Sequence, residues 1–200
     1  YESLQSNTAS YNTALGKSSL KVNTTGQRNT AVGAYCLFDS TTGNFNTAVG
    51  YQSLNNNTTG KTNSALGYGS LYTNVAGEKN TAVGYYSLLY STGNENTALG
   101  HNAGDVITTG TNNVIIGSGA DSSAAVGTNQ IVIGQGATGQ GDNSVTLGNT
   151  SVTDVYMAQD SGATVHCGVV TASGAVTAAS FSGDGSALTN LPSSGGASVL

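Results

Sequence analysis

The chain has 200 residues, of which 8% are charged, with 29 Gly, 1 Pro, no Trp and a formal net charge of −5. Low net charge is not the profile of compositional disorder, and the five cations, Lys17, Lys21, Arg28, Lys61 and Lys79, are scattered rather than clustered as nucleic-acid binding requires. No apolar run approaches the ~20 residues of a membrane-spanning helix, and no charged-then-apolar leader opens the sequence.

The chain opens with Tyr1-Glu2-Ser3-Leu4, the second part of a repeat, so further coils are expected upstream of Tyr1. From Asn12 the motif Asn-Thr-Ala-Val/Leu-Gly recurs and closes at Gly16, Gly33, Gly50, Gly67, Gly84 and Gly100, in steps of 17, 17, 17, 17 and 16. It continues in altered form to Gly117, Gly134 and Gly148, in steps of 17, 17 and 14. These nine glycines define the repeat. A second glycine follows ten residues after most anchors, at Gly26, Gly43, Gly60, Gly77 and Gly110, and nine residues after one, at Gly93. Two glycines per repeat predict a coil that turns twice through conformations glycine adopts cheaply, with two short extended segments between.

In the first segment the positions three and one before the glycine become Val114/Ile116, Ile131/Ile133 and Val145/Leu147 in the late copies, so that face is expected to point into a core. The residue between them is Ala14, Ala31, Ala48, Ala65, Ala82 or Ala98 in the first six copies, small enough for a partner chain to pack closely against it. The second segment reads Tyr-x-Ser-Leu at Tyr51 to Leu54, Tyr68 to Leu71 and Tyr85 to Leu88. One coil per repeat would set Leu over Leu and Asn over Asn at about 4.8 Å.

Helical solenoids need longer units with three- and four-residue apolar spacing. The expected fold is therefore all-β, a parallel β-roll or β-solenoid of about nine 17-residue coils over residues 1–148, some 40 Å long at roughly 4.8 Å per rung. Few apolar side chains per coil make an oligomer sharing the Ala face the expected state. Residues 149–200 break the period. They are expected to form a Gly/Ser/Ala-rich neck towards a C-terminal tip or chaperone domain, ordered by packing with partner chains.

Asn113 to Ala120 and Gln130 to Ala137 carry the pattern Asn/Gln-Val/Ile-x-Ile-Gly-x-Gly-Ala, followed by Asn143 to Gly148 at the 14-residue step. The pattern resembles the YadA-like head repeats of trimeric autotransporter adhesins, and is similar to related β-rolls of bacteriophage tail fibres. That resemblance implies a left-handed parallel β-roll in each of three chains around a common axis. The earlier copies depart from it, with Thr-Ala-Val strands and a longer coil. Within residues 161–192, Val169 to Gly174 and Ala179 to Pro192 look like a segment found in phage tail-fibre proteins ahead of a tip or chaperone domain, which favours phage over bacterium.

Candidate chemistry is sparse. Gly134-Gln135-Gly136-Ala137-Thr138-Gly139 matches a dinucleotide fingerprint, but another coil follows where a helix is required, so it reads as a repeat turn. His101 and His166 lack a neighbouring set for a triad or metal site; His101 takes the place of a laddered Tyr. Asp142, Asp154, Asp160 and Asp184 show no calcium-loop spacing, and no carboxylate pair is nominated for glycoside hydrolysis. Cys36 and Cys167 read as small buried hydrophobes. Asn23, Asn56, Asn57 and Asn149 head chance sequons. Tyr51, Tyr68 and Tyr85 form a ladder that either contacts glycans or covers the roll's flank. Thr13, Thr30, Thr47, Thr81 and Thr97 form the array of an ice-binding face, set aside because Val114, Ile131 and Val145 at the same place point to burial.

The expectation is therefore a protein with no catalytic residues, cofactor or metal: the structural shaft of a homotrimeric virion tail fibre that positions a receptor-binding tip for host attachment. Its partners would be itself, neighbouring fibre or baseplate proteins and a host surface glycan or receptor, with no nucleic acid and no membrane insertion. The alternative is a bacterial surface adhesin that binds matrix or glycans directly. A tip or chaperone domain after Leu200 would favour the first reading, and a membrane-anchoring β-barrel the second.

Overall fold

The structure is a computed structural model and describes residues 2–157 together with Val169, Thr171 and Ala172. The chain divides into two units, Tyr1–Val155 and Tyr156–Leu200. Of the expected neck, the described part is residues 149–157 and those three isolated residues; His166, Cys167, Asp160 and Asp184 lie outside the described residues.

Each copy of the motif supplies one three-residue strand: β1 (Thr13–Leu15), β2 (Thr30–Val32), β3 (Thr47–Val49), β4 (Ser64–Leu66), β5 (Thr81–Val83), β6 (Thr97–Leu99), β7 (Val114–Ile116), β8 (Ile131–Ile133) and β9 (Val145–Leu147). They form one nine-stranded parallel sheet in chain order. Register is by repeat position throughout, as in Ala31↔Ala48 and Ala48↔Ala65. The 16-residue step keeps it, Ala82↔Ala98, and so does the 14-residue step, Val132↔Thr146. The missing residues are therefore absorbed in the corners, where no ladder constrains loop length. This is a parallel β-solenoid with one rung per repeat.

The anchor glycines explain the sharp corner after each strand. Gly16, Gly33, Gly50, Gly67, Gly84, Gly100, Gly117 and Gly134 have φ between +125° and +141°, and Gly148 has φ +84°. Such extended positive-φ backbone is essentially confined to glycine. At Gly50 a Cβ would also lie 2.5 Å from the carbonyl oxygen of Gly67 on the next rung. The second glycines work differently from the expectation. Gly43 has no positive φ; it is needed for space, since a Cβ there would lie 2.6 Å from the Gly60 carbonyl oxygen.

Two further expectations are corrected. The Tyr-x-Ser-Leu segment is a run of turns rather than a second strand. Within it Leu20, Leu37, Leu54, Leu71 and Leu88 adopt left-handed φ of 47° to 52°. That conformation costs roughly 1–2 kcal/mol for a side chain with a Cβ. It is offset by complete burial of each Leu, worth roughly 1.5–3 kcal/mol.

The strand faces are also the reverse of the expectation. Ala31, Ala48, Ala82 and Ala98 are fully buried, as are Ile115 and Val132 at the same position, whereas the flanking residues point outward. The alanines pack inside their own coil, not against a partner. The interior is narrow: a Cβ on Gly104 would sit 3.0 Å from Leu88 Cδ2 and 3.6 Å from Ala98 Cβ, so leucine from one wall already reaches alanine on the other. Where Gly104 ends the leucine ladder, Ile107 and Ile115 enter the core, a swap that conserves volume.

Among the described residues, nineteen polar side chains are buried against seventeen apolar ones, so hydrogen bonds hold this core as much as apolar burial does. The main device is an asparagine ladder through Asn29, Asn46, Asn63, Asn80, Asn96 and Asn113. Each side-chain carbonyl accepts the next rung's backbone N–H, as from Asn80 N to Asn63 Oδ1 at 2.9 Å. Each amide donates to a corner glycine carbonyl, as from Asn63 Nδ2 to Gly77 O at 2.8 Å. The ladder satisfies backbone groups that the short strands leave unpaired. A second ladder runs through Asn57 and Asn74, linked at 3.0 Å.

Candidate functional site

Outside the core the solenoid presents ladders of equivalent side chains, and any site on it is a surface site. The broadest is the outer face of the sheet. Leu15, Leu66, Leu99 and Leu147 are 46–67% exposed, in line with Val32, Val49, Val83, Ile116 and Ile133. Beside them runs a second ladder, Thr13, Thr30, Thr47, Ser64, Thr81 and Thr97, continued by Val114, Ile131 and Val145. Nine strands at about 4.8 Å by three residues at about 3.3 Å give a face of roughly 40 by 10 Å. The apolar ladder is one side of this face, flanked over six rungs by hydroxyls and over the last three by Val114, Ile131 and Val145; its continuity along every rung is what marks it as a candidate interaction surface.

The ground for setting aside ice binding, burial at the threonine position, does not hold within one chain: Thr13, Thr47, Ile131 and Val145 are exposed. The neighbouring ladder instead mixes Val, Leu and Ile of different reach, which breaks the flatness a regular threonine array needs.

The tyrosine ladder forms on a different flank. Tyr51 and Tyr68 stack at a centroid distance of 5.2 Å and 20°, Tyr68 and Tyr85 at 5.1 Å and 15°, and His101 continues the column on Tyr85 at 5.2 Å and 7°. Tyr35 meets Tyr51 edge-on at 5.9 Å and carries Lys17 over its ring. Because the rings cover one another's faces, a ligand along this column meets ring edges and hydroxyls rather than open π-faces.

At the corner preceding the sheet, Tyr11, Arg28 and Phe45 occupy the same repeat position on three successive rungs, all with left-handed backbone and all exposed. The Arg28 guanidinium lies between the two rings, its Cζ 5.5 Å from the Tyr11 centroid and 5.2 Å from that of Phe45. Further along the same corner, Lys79 pairs with Glu95 at 2.7 Å and Lys61 approaches Glu78 at 3.8 Å. These last pairs border a shallow surface hollow of about 290 Å³ lined by Glu78, Lys79, Asn94, Glu95, Thr111 and Asn112.

Asp105 and Asp121 come together from adjacent rungs where the leucine-bearing coils give way to tighter ones. Burial pushes Asp121 up to about 6, reinforced by the charge of Asp105 and opposed by the hydrogen bond that Val106 N–H donates to its Oδ1 at 3.2 Å. Asp105 is also raised, again chiefly by burial, while His101 nearby favours its ionised form. Sequence reading missed this pair and the Arg28 stack, because each residue is isolated in sequence and meets its partner only when one repeat is laid on the next.

The remaining candidates have structural surroundings. Asp142 Oδ1 accepts from Thr128 N at 2.8 Å and from Gln130 Nε2 at 3.2 Å, tying down the last coil. The Gly134 to Gly139 segment is a repeat turn with Ala137 in the core. Cys36 is buried, its thiol pushed up to about 11 by burial, at the position Ser53 and Ser70 hold on the next rungs. Asn23 and Asn57 are buried in the ladders, out of reach of glycosylation. Among the described residues no group of three or more His, Cys, Asp or Glu is placed to hold a metal. Compared with protein-family models, with curated proteins and with solved structures, the chain finds no match in any of the three.

Proposed function

We propose that this chain is the shaft of a homotrimeric virion tail fibre, a non-enzymatic spacer that holds a receptor-binding tip away from the particle for host attachment. The observation that carries the reading is the outer sheet face. It repeats an apolar residue on all nine rungs and leaves it in water in a single chain. A stripe along the full length of a rod suits lengthwise association of identical rods, since each rung then meets its equivalents. Stiffness follows from in-register backbone pairing on every rung. The trimer and the tail-fibre origin come from the resemblance of the late coils and of residues 161–192 to those families.

A bacterial surface adhesin is the second reading, favoured by the exposed aromatic and cationic side chains at the Tyr11, Arg28 and Phe45 corner, which a pure spacer does not require. Immuno-electron microscopy with an antibody to this chain separates the two. Decoration along a thin appendage between a virus particle and its tip supports the shaft, and decoration of a bacterial surface supports the adhesin. Sedimentation equilibrium tests the assembly: a particle of three 19.8 kDa chains is expected, reduced to single chains by Leu66→Asp with Leu99→Asp. A monomer across the accessible concentration range would end the trimer reading.

A further inference from the structure

Arg28 differs from the other cations in what its charge meets. Lys21, Lys61 and Lys79 each face a carboxylate within 4.0 Å, and Lys17 lies over the Tyr35 ring. Among the described residues Arg28 has no carboxylate within that distance and makes no side-chain hydrogen bond, while its Cζ lies over the Tyr11 and Phe45 rings of the two flanking rungs, 5.5 and 5.2 Å from their centroids. Two flanking rings restrict the side chain while its N–H groups have no partner among the described residues, which leaves them to receive a planar carboxylate through two parallel bonds.

The surroundings favour an anion of a particular kind. Residues 2–60 hold Lys17, Lys21 and Arg28 against Glu2 and Asp39, with Lys21 paired to Glu2, so Arg28 sits in a stretch of slight positive excess in a chain that is −5 overall. The exposed residues beside Arg28 in its own coil, Thr24, Thr25 and Gln27, are hydroxyls and an amide without charge. A peptide carboxylate would also ask for an apolar pocket or an unpaired strand edge, and this corner offers neither. A sugar acid offers one carboxylate with several hydroxyls and matches what is there. We infer that the Tyr11, Arg28 and Phe45 stack is a binding site for the carboxylate of an acidic saccharide. The site goes beyond the shaft proposal and does not depend on the number of chains.

The test uses the whole chain and the Nε–H resonance of Arg28. It is titrated with N-acetylneuraminate and with glucuronate, each against its methyl ester, and with acetate. The expected result is saturable movement with at least one of the acids, at least ten-fold weaker response to its ester, and at least ten-fold weaker response to acetate. Arg28→Ala should abolish binding, followed by sugar-proton saturation transfer. Arg28→Lys should weaken it about ten-fold because an ammonium cannot grip both oxygens. Phe45→Ala should weaken it and Phe45→Tyr restore it. Both side chains are on the surface, so circular dichroism of each of the four variants should match the parent. No response to either acid, equal response to acid and ester, or binding retained by Arg28→Ala would overturn the inference. An equal response to acetate would overturn its saccharide part.

Discussion

Asn63 sits in the middle of the buried ladder and bonds in both directions along the stack. Its Nδ2 donates to Gly77 O at 2.8 Å and to Asn46 Oδ1 at 3.2 Å, and its Oδ1 accepts from Asn80 N at 2.9 Å and from Asn80 Nδ2 at 3.2 Å. Asn63→Ala leaves one group without a partner, the Asn80 N–H, because the Gly77 carbonyl keeps the bond that Asn74 Nδ2 donates at 3.0 Å. Asn80 Nδ2 keeps its bond to Gly93 O at 2.8 Å, and Asn46 Oδ1 keeps the one from Asn63 N at 3.0 Å. At about 1–3 kcal/mol for an orphaned buried group the cost is about 1–3 kcal/mol, the lower end applying if a water enters the hole. Asn63→Asp keeps the acceptor but turns a carboxylate oxygen towards two other acceptors. It should cost more than Ala at neutral pH. Its folded-state pKa is raised, so the deficit shrinks as pH falls towards 4, by up to about 1.4 kcal/mol per pH unit. Asn94, whose exposed Oδ1 accepts from Glu78 N at 2.8 Å, is the control, and its replacement by Ala should cost under about 1 kcal/mol. Urea unfolding gives the overall change and hydrogen exchange at the Asn80 amide the local one, which matters because repeat stacks open in parts. A loss below about 1 kcal/mol at Asn63, with Asn80 exchange unchanged, would refute the claim that the ladder holds the rungs.

Gly50→Ala, with φ +125° and the Gly67 backbone 2.5 Å from the new Cβ, should cost at least about 3 kcal/mol in thermal melts. Gly136→Ala, at φ +58° with open space around it, should cost about 1–2 kcal/mol. Asp121, raised to about 6 by burial, holds its proton more tightly folded than unfolded, so stability should fall as pH rises from about 4 through about 6. Asp121→Asn should remove most of that slope and gain about 1–2 kcal/mol at pH 8, once half-exposure of the group is discounted; melts at pH 4 and pH 8 check it. Tyr68→Ala, which opens the column at 5.2 Å and 5.1 Å contacts on both sides, should cost about 1–3 kcal/mol and reduce the near-ultraviolet dichroism.

The period, the strand positions and the parallel stacking were legible because the anchor glycines recur where only glycine fits, and because a coil that short has no room for helices. The polarity of the strand was not. Val114, Ile131 and Val145 look like core residues by type, yet successive residues of a strand face opposite ways, and with Ala in the middle position of the earlier copies and Ile115 and Val132 there in the later ones turned inward, the flanking residues are left outside. The second segment misled for a related reason. Leucine is rarely left-handed, and only the stacked burial of Leu37, Leu54 and Leu71 sustains that backbone. The asparagine ladders were visible as spacing, but their bonds run between rungs. The same holds for Arg28 with its two rings and for Asp105 with Asp121.

Paired spin labels on the exposed corner positions Thr25, Ala76 and Thr109, read by pulsed electron resonance, measure most directly whether one repeat is one rung. At about 4.8 Å per rung, the backbone separation should be about 14 Å for Thr25 to Ala76, three rungs, and about 24 Å for Thr25 to Thr109, five rungs. Separations that fail to grow with the number of repeats, or that alternate between near and far as hairpins would require, would contradict the solenoid.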